Sequence, residues 1–259
     1  MRLRVLASGS GGNSLVAESA GGARIMVDMG LACGTIVKRL AACGESAGNL
    51  DGVLFTHEHS DHCKGAARFH KLFPSVPFYA NGLTAEAIAA TCGVDGRAFR
   101  EFGTGEPFAI ADMRISPLAT RHDTVDPVCF LIEDPCTSLF VGTDTGEITA
   151  PFAYGFEHAV CAILEANYEP ELLWNSTRSE WLKQRIAGPT GHLANADAAE
   201  LVKESPCERL RILLAGHRSR ECNHPSLVEH HLRNAMAERG LHADFDLLEQ
   251  DTPSPVWTF

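Results

Sequence analysis

Short apolar runs separated by Gly-rich turns open the chain. Residues 2–7, 14–19 and 23–28 read as strands of a meander, each bounded by turn-forming residues. The period then changes: Ile36, Val37 and Leu40 share one helical face, which predicts a helix over 34–43. A strand at 50–56, a helix near 62–72, a strand at 77–80 and a helix at 83–92 follow. A second meander covers 106–118, 128–133 and 138–143. The final third alternates, with helices at 148–156, 178–187, 194–204 and 225–239 and strands at 159–165, 209–215 and 243–249. No internal repeat or low-complexity segment interrupts this order. Two strand-rich halves, each with helices to cover it, predict an α/β chain folded as a four-layer αββα sandwich, one domain over residues 1–259.

Composition narrows the class. A length of 259 residues with 45% hydrophobic and 21% charged content suits one large domain with a substantial core. No apolar run approaches the roughly 20 residues of a membrane helix. The start, Met1-Arg2-Leu3-Arg4-Val5-Leu6-Ala7, reads as a first strand rather than a signal peptide. Nine cysteines, an odd number with no C-x-x-C pair, predict reduced thiols and a cytoplasmic home; Cys129, Cys136 and Cys161 sit in or beside apolar runs, as core thiols do. A net charge of -11 argues against a broad basic surface for nucleic acid. Contact with a strand then needs local cations, and the candidates are Arg178, Lys183 and Arg185, or Arg209, Arg211, Arg218 and Arg220.

The chemistry concentrates in Thr56-His57-Glu58-His59-Ser60-Asp61-His62, directly after the apolar run Val53-Leu54-Phe55. His57 and His59 are two apart, so on extended backbone both point to one side. Asp61 and His62 open the next element and can turn towards a second point. Three imidazoles and a carboxylate this close are costly to pack unless cations are held between them, and a pair of transition-metal ions would do that.

This H-x-H-x-D-H stretch resembles the signature of the metallo-β-lactamase-fold hydrolases, and the resemblance covers essentially the whole chain. The later residues that the family needs arrive in order, each after a strand-like run: His122 in Ala119-Thr120-Arg121-His122-Asp123, Asp144 in Gly142-Thr143-Asp144-Thr145-Gly146, and His217 in Ala215-Gly216-His217-Arg218. The resemblance implies two divalent metal ions. His57, His59 and His122 would hold one, Asp61, His62 and His217 the other, and Asp144 would bridge them, with a shared hydroxide as nucleophile. Imidazole and carboxylate ligands fit zinc foremost, with manganese or iron as alternatives. Asp rather than Cys at 144 departs from the classical β-lactamases and points to the wider hydrolase and nuclease branches. Asp28 is expected to accept a hydrogen bond from a ligand imidazole, and the loop Gly9-Ser10-Gly11-Gly12-Asn13-Ser14 to border the site with N–H groups for an oxyanion.

The C-terminal third resembles the WalJ/YycJ-type exonucleases, relatives of ribonuclease Z. The carrying residues are Glu165-Ala166-Asn167-Tyr168, Gly188-Pro189-Thr190-Gly191-His192-Leu193-Ala194-Asn195, and His217-Arg218-Ser219 with Asn223. By that resemblance Asp61, His192 and Glu165 form the catalytic set: His192, at a helix start, serves the scissile phosphate and Glu165 orients it. Ala194 and Arg218 stand where that branch usually has Ser and Leu. Fewer than fifty residues separate Asp144 from His192, too few for the inserted domain of the RNA- and DNA-processing branch. His224 is a further residue within reach of substrate, while Trp174, Trp181 and Tyr168 are read as anchors of the nearby helix. The leading expectation is a binuclear phosphodiesterase, a nuclease of the 5'-to-3' exonuclease type acting on nucleic acid or a small phosphodiester. The alternative is a small-molecule hydrolase (cyclic phosphodiesterase, thioesterase or lactonase) on the same core, and a non-catalytic metal binder is the third reading.

Overall fold

In the computed structural model, which describes residues 1–259, the first meander is formed by β1 (Arg2–Ala7), β2 (Ser14–Glu18) and β3 (Arg24–Val27). Helix α1 (Cys33–Ala42) leads to β4 (Gly52–Leu54). The chain then runs through α2 (Ser60–Cys63), α3 (Ala66–Leu72), β5 (Phe78–Asn81), α4 (Gly82–Cys92) and β6 (Phe99–Phe102). The second half holds β7 (Phe108–Ile110), β8 (Met113–Ala119), β9 (Val128–Glu133), β10 (Ser138–Gly142), α5 (Ala150–Glu157) and β11 (Cys161–Glu165). It closes with α6 (Pro170–Asn175), α7 (Glu180–Ala187), α8 (Asn195–Glu204), β12 (Ile212–Gly216), α9 (Pro225–Arg239), β13 (Asp244–Leu247) and β14 (Trp257–Thr258).

The strands make two seven-stranded sheets, ordered β14-β1-β2-β3-β4-β5-β6 and β13-β12-β11-β10-β9-β8-β7. In each sheet an antiparallel meander passes into parallel strands joined by crossovers. Burial shows the layering directly. Leu54 faces a core shared with Phe130, Val141, Ile163 and Leu214 of the other sheet. Its neighbours Val53 and Phe55 point the opposite way, into a core with Ile36, Phe69 and Ile88 of the helices. A third core pairs Phe140, Leu164 and Leu213 with Phe152, Leu201 and Leu232 of α5, α8 and α9. Strands covered on both faces read as unbroken apolar runs, which is why the sequence showed so little alternation. The αββα sandwich is the fold. At about 25 cal/mol per Å² of apolar surface removed from water, these three cores together are its main source of stability.

Several sequence expectations need correction. The helix expected near 62–72 is broken into α2 and α3 at Gly65, where a methyl would lie 2.5 Å from the Leu31 carbonyl oxygen. The loop after β3 presses on the chain there, and it leaves Asp61 and His62 on a single short turn. The run 106–118 is two strands, folded at Ala111, whose φ is 52°. No glycine or proline marks that turn. Strands β6 and β14 and helix α6 had no clear period and were not anticipated. Cys136 is exposed, not a core thiol, because Asp134 Oδ1 accepts the Cys136 and Thr137 N–H groups and closes a turn between β9 and β10. Cys129 and Cys161 are buried as expected, and all nine cysteines are free thiols. No helix is long and apolar enough to cross a membrane.

Candidate metal centre and active site

The residues singled out by the sequence gather at one end of the two sheets, mostly on loops that follow strands with a parallel neighbour, with His122 after the antiparallel β8. Ligands in open α/β sheets bind at this end. His57, His59, Asp61 and His62 follow β4, Asp28 follows β3, Asp144 follows β10, Glu165 ends β11, and His217 follows β12. Four non-glycine residues have positive φ, and three of them are Asp28 (60°), Asp144 (60°) and His217 (52°). Side chains seldom adopt this conformation, so its concentration here marks backbone held for the site and not for the fold.

The atoms that could bind metal fall into groups. His57, His59 and His122 offer ligand atoms within 4.8 Å of one another; so do Asp61, His62 and His217, and so do His57, His62 and Asp144. The structure therefore brings the seven residues together in overlapping groups, and a fourth group joins Asp144 and His217 to Glu165 and His192. Neighbours fix which ring nitrogen faces inward. The Nδ1 of His122 meets the Gly191 carbonyl at 2.9 Å, that of His57 the Thr56 hydroxyl at 2.9 Å, that of His62 the Asp28 carboxylate at 2.8 Å, and that of His217 Glu165 at 2.8 Å. Asp28 thus holds a ligand-type imidazole, as the sequence suggested.

Three buried atoms at the centre, His57 Nε2, His217 Nε2 and Asp144 Oδ2, have no hydrogen-bond partner. Asp144 Oδ2 lies 3.2 Å from His62 Nε2 but without the alignment a hydrogen bond needs. Leaving buried polar atoms unpaired costs about 1–3 kcal/mol each. Convergent orphans on imidazole and carboxylate are what cation ligands look like, so the donor set fits divalent metal. Charge in the metal-free protein is distributed to match. Burial and the neighbouring His62 push His57 well below its usual range, and burial pushes His122 down. For His217, burial pulls down, but Asp144, Asp61 and Glu165 outweigh it and hold the pKa at about 10. His62 is raised well above its usual value against burial by Asp144, Asp28 and Asp61. Burial would raise Asp144, yet His217 and His62 hold it well below the carboxylate range.

Glu165, fully buried, serves two imidazoles on one oxygen: Oε1 is 2.9 Å from His192 Nδ1 and 2.8 Å from His217 Nδ1. Its Oε2 accepts the Thr145 N–H at 2.9 Å. Burial alone would raise Glu165; His192 is the strongest of the groups that hold it down. The expected pairing of Glu165 with His192 is present, but the helix-end rationale is not. His192 lies two residues ahead of Ala194, the residue capping α8, and the N–H groups of His192, Leu193 and Asn195 are bonded to Ile186 O, Glu165 and Tyr168 O. The glycine loop borders the cleft as expected, through Ser10, but the Gly9, Gly11, Gly12 and Asn13 N–H groups have acceptors within the protein and are not free for an oxyanion. The loop also contributes Asn13, whose amide stands 3.0 Å from His62 Nε2.

A cleft of about 290 Å³ opens over the cluster, lined by His59, Asp61, Asp144, His192 and His217 and by Arg178 and Arg185. Of the cations suggested as strand contacts, these two line it, each with a carboxylate partner, Arg178 with Glu221 and Arg185 with Asp123. Lys183 does not: it is buried, with Nζ on the Trp174 carbonyl and Glu180. Arg218 and Arg220 pair with Glu249 and Asp251, and Arg209 and Arg211 do not line the cleft. His224 caps α9 through the Ser226 N–H and also stays out of it. Asp123 was missed. It bonds Arg185 and lies 3.6 Å from both His59 Nε2 and His122 Nε2; its position next to His122 was the only signal available. Asn167, which donates to the His217 carbonyl at 2.7 Å, is a further supporting residue.

The sequence model of the beta-lactamase superfamily domain matches residues 23–213. The exodeoxyribonuclease WalJ of Streptococcus pneumoniae is 32% identical, over 97% of this chain and 96% of that protein. The exodeoxyribonuclease YycJ of Bacillus anthracis is 27% identical, over 99% of this chain and 97% of that one. Among solved structures, the metallo-β-lactamase-fold protein YhfI of Bacillus subtilis superposes with a TM-score of 0.74 at 16% identity, covering 99% of both chains. The short form of human tRNase Z gives 0.66 at 14%, covering 98% of this chain and 99% of the other. With the domain match and the WalJ relative both spanning most of its length, the chain belongs to the beta-lactamase superfamily.

Proposed function

We propose that the protein is a binuclear metal-dependent nuclease that removes nucleotides from DNA ends, of the 5'-to-3' exonuclease type. In this reading His57, His59 and His122 hold one divalent ion, Asp61, His62 and His217 the other, and Asp144 lies between them; zinc suits this donor set, with manganese or iron as alternatives. The observation that carries it is the convergence of unpartnered buried ligand atoms on His57, His217 and Asp144 beside the Glu165–His192 pair. The names of the WalJ and YycJ relatives supply DNA as the strand. Bound there, the ions would supply Lewis acidity to the phosphodiester and acidify a water. The remaining steps belong to the chain's own side chains. Glu165 fixes the tautomer and direction of His192 through Nδ1, leaving Nε2 to give its proton to the departing oxygen. Arg178 and Arg185 hold the strand's phosphates at the cleft wall. Asp28 and Glu165 keep His62 and His217 aimed inward.

The test combines metal analysis with substrate choice. Plasma emission spectrometry is expected to find two ions per wild-type chain and near none in Asp144→Ala. End-labelled DNA should be shortened stepwise by the wild type and left intact by the variant. At most one ion under saturating metal would overturn the binuclear assignment. Hydrolysis of a thioester or lactam without any DNA cleavage would overturn the nuclease reading.

A further inference from the structure

Trp181 stands 70% exposed on α7, an unusual position for the largest apolar side chain. The sequence suggested that it anchors the helix, and the structure removes that reason. The small core beneath α6 and α7 is built from Tyr168, Leu173, Ile186, Ala194 and Cys222, with Leu182 and Ala187 against it, and Trp181 takes no part. Tyr168 is the anchor. Trp181 and Arg185, four residues apart, share one face of α7, while Arg178 lies ahead of the extended cap Ser179. Arg178, Leu182, Arg185 and Ile186 line the cleft, and Trp181 stands beside Arg185, next to that lining. The Arg185 guanidinium carbon lies 6.0 Å from the centre of the Trp181 ring, and the same guanidinium bonds Asp123, which is 3.6 Å from His59 and His122. Two side chains therefore join the indole to the ligand cluster.

We propose that Trp181 is the platform on which an unpaired base of the DNA end stacks while its phosphates run past Arg185 and Arg178 into the cleft; this rests on the nuclease reading above. An indole face accepts any base, which suits an enzyme that must pass along a strand regardless of sequence. Arginine beside an aromatic face adds a cation–π contact and a phosphate partner. Charge fits this occupant: in a chain of net charge -11, two guanidinium groups line the cleft. A strand's phosphates would take them over from their carboxylate partners, Glu221 and Asp123. A base inside a duplex has its faces covered by its neighbours, so the proposal commits to a single-stranded or frayed end.

The experiment measures KM for an end-labelled single-stranded DNA in metal-loaded wild type, Trp181→Ala and Trp181→Phe, beside turnover of bis(p-nitrophenyl) phosphate. Loss of one stacked base predicts a rise in KM of about 5- to 150-fold for Trp181→Ala. That rise should exceed any change with the small diester at least severalfold, with Trp181→Phe recovering most of it. An oligonucleotide with abasic end residues should show no further penalty for Trp181→Ala. Equal KM values for wild type and Trp181→Ala on intact DNA would overturn the platform and leave the nuclease reading standing. Failure of the wild type to cleave any DNA would overturn both.

Discussion

Glu165 and its two imidazoles show how one residue can serve binding and chemistry at once. His217 Nε2 is buried and unpartnered, whereas His192 reaches the cleft from the same carboxylate oxygen. Their substitutions should therefore part. His192→Ala is expected to retain both ions and the fold while kcat on DNA falls by about 10²–10⁴. The fall should be much smaller with bis(p-nitrophenyl) phosphate, because p-nitrophenolate leaves without a proton. His217→Ala should instead lose an ion. A metal deficit in His192→Ala would make His192 a ligand, contrary to this assignment. The Asp28, Asp144 and His217 backbone conformations belong to the same scale: each pays for side-chain aim with local strain of about 1–3 kcal/mol.

Helix α8 begins immediately behind His192, and its cap is the weak point of that element. Ala194 has the extended dihedrals of a cap (φ -70°, ψ 157°) but no side-chain acceptor, so the first turn lacks the bond that Asn81 gives α4 through the Thr84 N–H. Ala194→Ser is expected to stabilise the protein by about 0.5–2 kcal/mol. In thermal melts that corresponds to roughly 2–4 °C per kcal/mol for a chain of this size. An unchanged or lowered melting temperature would show that the buried setting of Ala194 has no room for the hydroxyl. The break between α2 and α3 is the opposite case, an element cut short by a neighbour. The Gly65 N–H donates to Met29 O at 2.8 Å, and this contact fixes the turn carrying Asp61 and His62 against the loop after β3.

Across the whole molecule the ligand cluster is a seam between the sheets. His57, His59, Asp61 and His62 come from one sheet, and His122, Asp144 and His217 from the other. Bound ions therefore tie the two halves, and each ion present at a thousandfold excess over its Kd adds on the order of 4 kcal/mol. The size of this effect depends on pH. In the metal-free protein His217 keeps its proton up to about 10, against an ordinary 6.5, so its contribution to folding is complete below 6.5 and fades as the pH rises to about 10. An ion requires that nitrogen bare, so metal uptake releases the proton. The gap in melting temperature between metal-loaded and chelator-treated protein should accordingly widen from pH 7 to pH 9. A constant gap across that window would show that His217 neither loses a proton to the metal nor holds one in its absence.

The ligand motif and the order of strands and helices were legible in the sequence because they are local. His57 and His59 are two residues apart on extended chain, and an apolar run ahead of each later ligand marks the strand that delivers it. The same locality explains what was missed or misread. Asp123, Asn13 and Thr56 lie beside residues the sequence singled out, but they matter through partners that other elements bring near, and the sequence does not show those partners. The break at Gly65 is set by packing against the loop after β3, against the local period, and the Ala111 turn carries no glycine or proline to mark it. The exposure of Trp181 and the burial of Lys183, two residues apart on one helix, depend on which face α7 turns to α6 and the cleft. Sequence determined which chemistry the chain carries and in what order. Tertiary structure alone decided which atoms converge, which nitrogens are left bare and which cations reach the cleft, because contacts between distant segments have no period along the chain.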